Sequence, residues 1–259
     1  MHRGPGASQA GAEPRAHGEG AQDLQPEAMT LPAALALAVR ACEPGGIAAF
    51  DADGTLWRED IGEAFLRHLV SLGWVRLPDG GDPYEEYERR VDQDKRSGYI
   101  FAAQLQNGLA VAEVQAEADR FAREWVPPRL ISQVNELREL CAGQGLQTVI
   151  VSASPVSIVI AGAKVLQIPE SRCAGIEVQV VDGRFTDEPV EPVTYAAGKV
   201  AALPVRGWTR PALACGDSAQ GDAALLSAAR IGVVVAPPSG SPLSAMARDR
   251  GWFVLQRDA

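Results

Sequence analysis

Histidine is nearly missing from this chain: there are three in 259 residues, and His2 and His17 fall in a polar N-terminal stretch. With only His68 left in the remainder, an imidazole-rich zinc or copper site is excluded and acid–base work falls to carboxylates. Any bound metal is then expected to be a hard cation on oxygen ligands, such as Mg²⁺. Cysteine is scarce too. Cys42, Cys141, Cys173 and Cys215 stand singly, with no Cys-x-x-Cys pair. That spacing excludes a disulfide framework or zinc ribbon and reads as small buried apolar residues in a reducing, cytoplasmic compartment. Basic residues are in deficit, 24 Lys and Arg against 33 Asp and Glu, for a formal net charge of -9. Nucleic acid and anionic membrane surfaces both call for a basic patch, so neither is expected as a partner. No apolar run reaches the length of a membrane span. Residues 31–42 are apolar and Ala-rich, but Glu27 rather than a basic cluster precedes them, so they read as a packed helix and not a signal segment.

What is present is an ordinary globular composition, 46% apolar and 22% charged. Residues 1–29 carry almost no large apolar side chains and are expected to be disordered, because they cannot offset their own chain entropy. Thr30 reads as an N-cap, with Pro32 in the first turn of a helix that leads to Pro44-Gly45-Gly46. From residue 58 to 126 the pattern is helical throughout. Asp60 and Glu63 resemble a capping box, Gly98 and Gly108 bracket a short helix, and Val111, Val114, Ala118, Phe121, Ala122 and Trp125 keep amphipathic spacing. Pro127-Pro128 ends this section. Beyond it, helix and strand alternate. Leu130, Ile131, Val134, Leu137, Leu140 and Cys141 make one helical face, and strands are expected at 146–151, 176–181, 184–186, 212–215, 231–235 and 252–255. Asp182-Gly183 marks a hairpin between the second and third of these. The expected fold is α/β: a doubly wound, mostly parallel, Rossmann-like core from residues 30–57 and 127–259, with an inserted helical lobe at 58–126.

Three strands end in chemistry. The run Ile47-Ala48-Ala49-Phe50 stops at Asp51-Ala52-Asp53-Gly54-Thr55, the strand through Val151 stops at Ser152-Ala153-Ser154-Pro155, and the strand through Cys215 stops at Gly216-Asp217-Ser218. In open α/β sheets ligands gather outside the carboxyl ends of the strands, so these ends form one constellation, with Lys199 on the approach to the third. Carboxylates would hold Mg²⁺; hydroxyls, backbone N–H groups and an ammonium would hold a phosphate. Read blandly, each piece is a turn Asp, an N-cap serine or a surface lysine; the four pieces in order are what raise them above that.

Those four pieces, Asp51-Ala52-Asp53-Gly54-Thr55, Ser152, Lys199 and Gly216-Asp217-Ser218-Ala219-Gln220-Gly221-Asp222, resemble the haloacid dehalogenase superfamily in its phosphatase branch, across nearly all of the chain beyond residue 45. A helical lobe between the first and second motifs is similar to the cap of the phosphoserine-phosphatase-like subgroup, and the spellings Asp51-Ala52-Asp53-Gly54-Thr55-Leu56-Trp57 and Ser152-Ala153-Ser154-Pro155 are similar to phosphocholine-phosphatase-like members.

The resemblance implies a hydrolase that removes phosphate from a small phosphorylated metabolite. Asp51 would be the nucleophile, forming an aspartyl-phosphate; Asp53 would protonate the leaving alcohol and then activate water; Lys199 would neutralise developing charge. Asp51, Asp217 and the main-chain carbonyl of Asp53 would hold Mg²⁺, and Asp222 would join through water or orient Lys199. Ser152 and Ala153 would take the phosphoryl group, and Thr55 would either contact it or only fix the turn. Asp53 also separates this chain from the dehalogenases, whose halide leaving group needs no proton.

Asp60 falls where related phosphatases carry an acidic substrate-binding residue, although it reads equally as a helix cap. Trp57, Tyr84, Tyr87, Tyr99 and Trp125 could line a pocket for an amine or quaternary ammonium, or simply be core. Arg89, Arg90 and Arg96 could bind a carboxylate or form a solvated face, and Ser154-Pro155 reads as a helix start. Two rivals use the same residues: a phosphomutase or phosphotransferase, and a phosphate-ligand binding protein without turnover. Substrate identity and oligomeric state are not written in the sequence.

Overall fold

The computed structural model describes Met1 and residues 31–257. The expectations for residues 2–29 and for Thr30 as a cap lie outside the described residues.

After α1 (Ala33–Arg40), which begins directly behind Pro32, the strand β1 (Ile47–Phe50) enters the centre of the sheet. Four helices follow before the sheet resumes: α2 (Ile61–Ser71), α3 (Pro83–Gln93), α4 (Lys95–Gln104) and α5 (Val111–Trp125). A 3-10 turn over Pro127–Arg129 leads into α6 (Ser132–Gly143), which returns the chain to β2 (Gln147–Pro155). Then come α7 (Val156–Val165), β3 (Cys173–Val181), β4 (Arg184–Val190), α8 (Ala197–Val205), β5 (Leu213–Gly216), α9 (Ala223–Ala228), β6 (Ile231–Val235), α10 (Pro242–Arg250) and β7 (Phe253–Leu255). Among the described residues the strands form one sheet in the order β4-β3-β2-β1-β5-β6-β7, with every neighbouring pair parallel except the β3–β4 hairpin. The order reverses at β1, so the crevice outside its carboxyl end is the topological switch point.

The apolar run of β1 is explained by its position. Ala48 and Phe50 pack into the core on one face with Val39, Val134 and Leu137, and Ile47 and Ala49 pack on the other with Leu203, Leu225 and Leu243. Alternate side chains thus meet helices on both sides, which is why the run does not alternate with polar residues. The register aligns Phe50 with Ile150 of β2 and with Cys215 of β5, so all three strands deliver their next residues to the same edge.

Several local details differ from the sequence expectation. Gly98 lies inside α4 instead of bounding it; α3 packs so close that a Cβ there would meet Val91 at 2.4 Å. Leu130 and Ile131 precede α6 because its first turn follows the prolines. Ser154 does not cap α7: β2 runs on through it, and Pro155 takes the N-cap position. The hairpin is longer than the short flanks of Asp182-Gly183 suggested, since β3 spans Cys173–Val181 and β4 spans Arg184–Val190.

The helices α2–α5 sit over the strand ends. α5 lies along α7, tied by Lys164 Nζ to Asp119 Oδ2 at 2.7 Å and by Gln115 Nε2 to the Ser157 carbonyl at 3.2 Å. The loop entering α5 pairs with the hairpin, with Val111 N–H donating to the Gly183 carbonyl at 2.9 Å. None of the described helices is long and apolar enough to cross a membrane.

Candidate active site

Asp51 leaves β1 while its N–H still bonds the Cys215 carbonyl at 2.9 Å, which fixes its height at the sheet edge. The chain then turns sharply: Thr55 and Leu56 N–H both donate to the Ala52 carbonyl, and Gly54 takes φ +76°. A side chain at Gly54 would be excluded twice over, by that left-handed backbone and by Asp217, whose Oδ2 would lie 2.1 Å from a Cβ. The same turn returns Trp57 to the core beneath Asp53.

Asp51 is buried and held from two sides. Lys199 Nζ donates to its Oδ1 at 2.5 Å and Thr55 Oγ1 donates to its Oδ2 at 2.9 Å. Lys199 is itself buried and donates to Asp222 Oδ1 at 2.7 Å. The other Asp222 oxygen accepts from Asp217 N–H at 3.1 Å and Ser218 N–H at 2.8 Å. Asp222 therefore ties the lysine to the loop after β5. The backbone ahead of Lys199 is strained: Ala196 adopts φ 51°, ψ -122°, a conformation that alanine avoids, at the entrance to α8.

Asp53 has different company. Trp57 Nε1 and Ile61 N–H each donate to its Oδ1 at 2.8 Å, while Ser154 Oγ donates to Oδ2 at 2.7 Å and Ser152 Oγ reaches the same oxygen at 3.3 Å. The two carboxylates thus belong to separate hydrogen-bond sets, despite standing only one residue apart. Asp60 caps α2 through Oδ1, which accepts from Glu63 N–H at 2.8 Å, and also lines the cavity. The cap and pocket roles coexist, and Glu63 takes a bond from Tyr84 OH.

The cavity above these groups is small, ≈ 130 Å³, with Asp51, Asp53, Asp60, Lys199, Asp217 and Asp222 among its lining residues. Ala153 and Ser154 also line it, whereas Thr55 and Ser152 are fully buried, their hydroxyls turned to Asp51 and Asp53. Oxygen atoms of Asp51, Asp217 and Asp222 lie within 4.8 Å of one another. Burial and the Asp222 charge push Asp51 well above the usual carboxylate range, with Lys199 pulling the other way. Burial and Asp222 likewise raise Asp217 to about 6, opposed by Arg257. Burial alone would lower Lys199, but the charges of Asp222 and Asp51 override it and hold the ammonium above its ordinary value. Asp60 is raised by burial and by the charge of Asp53. Three close carboxylates face one ammonium and, at Asp217, the Arg257 guanidinium, which still leaves negative charge unmatched, and a hard divalent cation on oxygen ligands fits that donor set.

Other candidates are dispersed. Of the aromatic residues offered by the sequence, only Tyr99 lines the cavity, joined by Tyr195, which no motif had marked. Trp57 is wholly buried, and a Cβ at Gly162 would stand 2.7 Å from its ring, so α7 admits the indole only because of that glycine. Tyr84 stacks under Arg67, Tyr87 is core, and Trp125 faces Arg129. Arg89 and Arg90 pair with Glu86, and Arg96 pairs with Glu191. His68 is packed against Phe65 and Phe121 and bonded to Glu117. All four cysteines are unpaired and buried, and burial pushes the Cys141 and Cys173 thiols up to about 12.

Arg257 was not anticipated at all. From just past β7 its guanidinium reaches back to the Gly54 carbonyl at 2.8 Å and to Asp217 Oδ2 at 2.5 Å. A lone arginine near the end of a chain carries no signal that it closes on a loop 203 positions earlier.

Comparison with known proteins bears on the family and the fold. The family of haloacid dehalogenase-like hydrolases matches residues 48–227. Phosphoserine phosphatase SerB1 of Mycobacterium tuberculosis is 24% identical over 215 residues, covering 79% of this chain and 68% of the relative. Among solved structures, a Bordetella pertussis protein of unknown function superposes with a TM-score of 0.69 at 21% identity, covering 82% of this chain and 98% of that one. A phosphoserine phosphohydrolase-like protein from Francisella tularensis gives a TM-score of 0.54 at 17% identity, covering 82% and 95% respectively. At these identities the solved structures speak for the fold.

Proposed function

This chain belongs to the haloacid dehalogenase-like hydrolases, and from that premise we propose that it is a Mg²⁺-dependent phosphomonoesterase acting on a small phosphorylated metabolite. The observation that carries the reading is the setting of Asp51: a buried carboxylate at the floor of a cavity, oriented by Lys199 and Thr55, with Asp53 held independently beside it.

Asp51 attacks phosphorus, forming an Asp51–phosphorus bond as the bond to the alcohol oxygen breaks, which splits one hard displacement into two. In this first step Asp53 gives a proton to the departing oxygen. It then takes a proton from water as that water attacks the phosphorus and frees Asp51 and inorganic phosphate. Four donors fix the Asp53 carboxyl for this exchange. Lys199 offsets charge gathering on the phosphoryl oxygens, and Asp222 holds Lys199 in place. Ala153 and Ser154 face the phosphoryl group from β2. Thr55 acts on Asp51, and Ser152 on Asp53, through their hydroxyls.

Asp51, Asp217 and the Asp53 carbonyl would hold Mg²⁺, which when bound supplies neutralising charge at the phosphate. Asp222 borders the same site and is assigned to positioning Lys199, which it holds through Oδ1 while Oδ2 ties it to the loop after β5. We assign α2–α5, residues 58–126, to a cap that excludes water and limits substrate size, and 31–57 with 127–257 to the catalytic core. Unpaired buried cysteines support a reducing, cytoplasmic setting.

The test is hydrolysis of p-nitrophenyl phosphate and simple alkyl phosphates with Mg²⁺ and with a chelator. Mg²⁺-dependent release of free phosphate, seen by phosphorus NMR without a new ester, is expected. No release from any of them would overturn the reading.

A further inference from the structure

Resting on that reading, we infer that Arg257 is a positioning residue for the metal site, holding Asp217 and the turn at Gly54 in the spacing that two of the proposed Mg²⁺ ligands need.

Those two ligands, the Asp53 carbonyl and the Asp217 carboxylate, stand on separate loops. One follows β1 and the other follows β5, and the Asp51 N–H to the Cys215 carbonyl is the bond at which the strands part. Beyond it no backbone hydrogen bond joins the two loops among the described residues. Arg257 supplies the join. Its Nη2 donates to the Gly54 carbonyl at 2.8 Å and to Asp217 Oδ2 at 2.5 Å, and its Nε reaches the same carbonyl at 3.2 Å. A planar guanidinium can serve two acceptors in one fixed geometry, which a flexible ammonium does not impose.

Each end of this join bears on a ligand. Gly54 N–H donates to the Trp57 carbonyl at 2.9 Å, and that N–H shares one planar peptide with the Asp53 carbonyl. Trp57 and Arg257 thus pin the turn on both sides of Gly54 and set the direction of the Asp53 carbonyl. At the other end Arg257 takes Asp217 Oδ2 and leaves Oδ1 without a hydrogen bond among the described residues. The missing Cβ of Gly54 permits the approach, since one there would stand 2.9 Å from Arg257 Nη2.

The path to the site is anchored residue by residue. Leu255 is buried in β7, and its carbonyl accepts from Ala236 N–H at 2.7 Å. Gln256 N–H donates to Gln133 Oε1, in the first turn of α6, at 2.8 Å. Arg257 starts from that fixed point and does not line the cavity. It flanks the three carboxylates from outside and does not stand in an ion's place among them.

Charge and geometry predict opposite signs for its removal. Deleting a positive charge beside a ligand would by itself tighten Mg²⁺ binding. Arg257 is 38% exposed, so solvent screens that repulsion. Loss of an orienting partner typically costs about 10–100-fold in metal affinity. The geometric effect is the larger.

Calorimetric titration of Mg²⁺ into the metal-free full chain, without substrate, reads the sign directly. Arg257→Gln should raise the Kd for Mg²⁺ by about tenfold or more. Arg257→Lys keeps the charge without the fork, and should also bind more weakly than the unmodified protein. A half-exposed ion pair adds little to stability, so the melting midpoint of either variant in EDTA should move by no more than about 3 °C. Unchanged or tighter Mg²⁺ binding in either variant overturns the inference and leaves the phosphatase reading intact. A larger shift in EDTA also overturns it, because Arg257 would then be a general structural tie. No Mg²⁺ binding by the unmodified protein overturns both this inference and the metal-dependent reading.

Discussion

Trp57 Nε1 donates to Asp53 Oδ1 at 2.8 Å, so the wholly buried indole is the rigid support of the proposed acid–base carboxyl. Trp57→Phe keeps most of the ring and removes the donor. The expected result is a fall in kcat of about tenfold or more, with a stability loss of only about 1 kcal/mol for the missing bond. Steady-state kinetics beside urea unfolding checks it, and an unchanged kcat would contradict the support role.

The indole in turn depends on Gly162, where a Cβ would come within 2.7 Å of the ring. Gly162→Ala should destabilise the protein by about 1–3 kcal/mol through overpacking. Because Trp57 must shift, kcat should fall as well, and the two losses measured together separate this site from ordinary core packing.

Removing the shared cation leaves Asp51 and Asp222 facing each other in the core. Lys199→Met is expected to abolish detectable turnover and to cost about 3–5 kcal/mol near neutral pH. The penalty should shrink as pH falls, since protonating either carboxylate relieves the repulsion. Denaturation midpoints at two pH values test this; equal penalties at both would contradict it.

Asp217 supplies a pH dependence. Its folded pKa, raised to about 6 from an ordinary 3.8, means the folded chain binds more protons than the unfolded one between those values. Its contribution to stability is therefore present at low pH and lost as pH rises through about 6. Mg²⁺ must displace that proton, so its binding should weaken as pH falls through the same range. Thermal midpoints with Mg²⁺ and with EDTA should differ more at about pH 7.5 than at about pH 5; a difference independent of pH would refute the assignment of Asp217 as a ligand.

The sheet and the gathering of polar residues at its strand ends were legible in the sequence because both leave local marks. A strand buried on two faces must be apolar, as Ile47–Phe50 is, and a carboxylate ending such a run is conspicuous. Side chains that act across the fold leave none. Ser154 looked like a helix cap until β2 proved long enough to aim its hydroxyl at Asp53, 101 positions away. Tyr195 and Arg257 reach the site through the crossover before α8 and the end of the chain, where nothing nearby distinguishes them from surface residues. Trp57 read as a possible pocket wall, because an aromatic after a motif says nothing about which way the turn will send it.

The account stands most directly on Asp51→Asn, which keeps the shape and hydrogen-bonding reach of the side chain and removes the nucleophile. Phosphate release from a substrate that the unmodified protein hydrolyses with Mg²⁺ should fall by at least about a thousandfold, with the fold intact by circular dichroism and deamidation excluded by intact mass. Release within about tenfold of the unmodified protein would contradict Asp51 as the group that takes the phosphoryl.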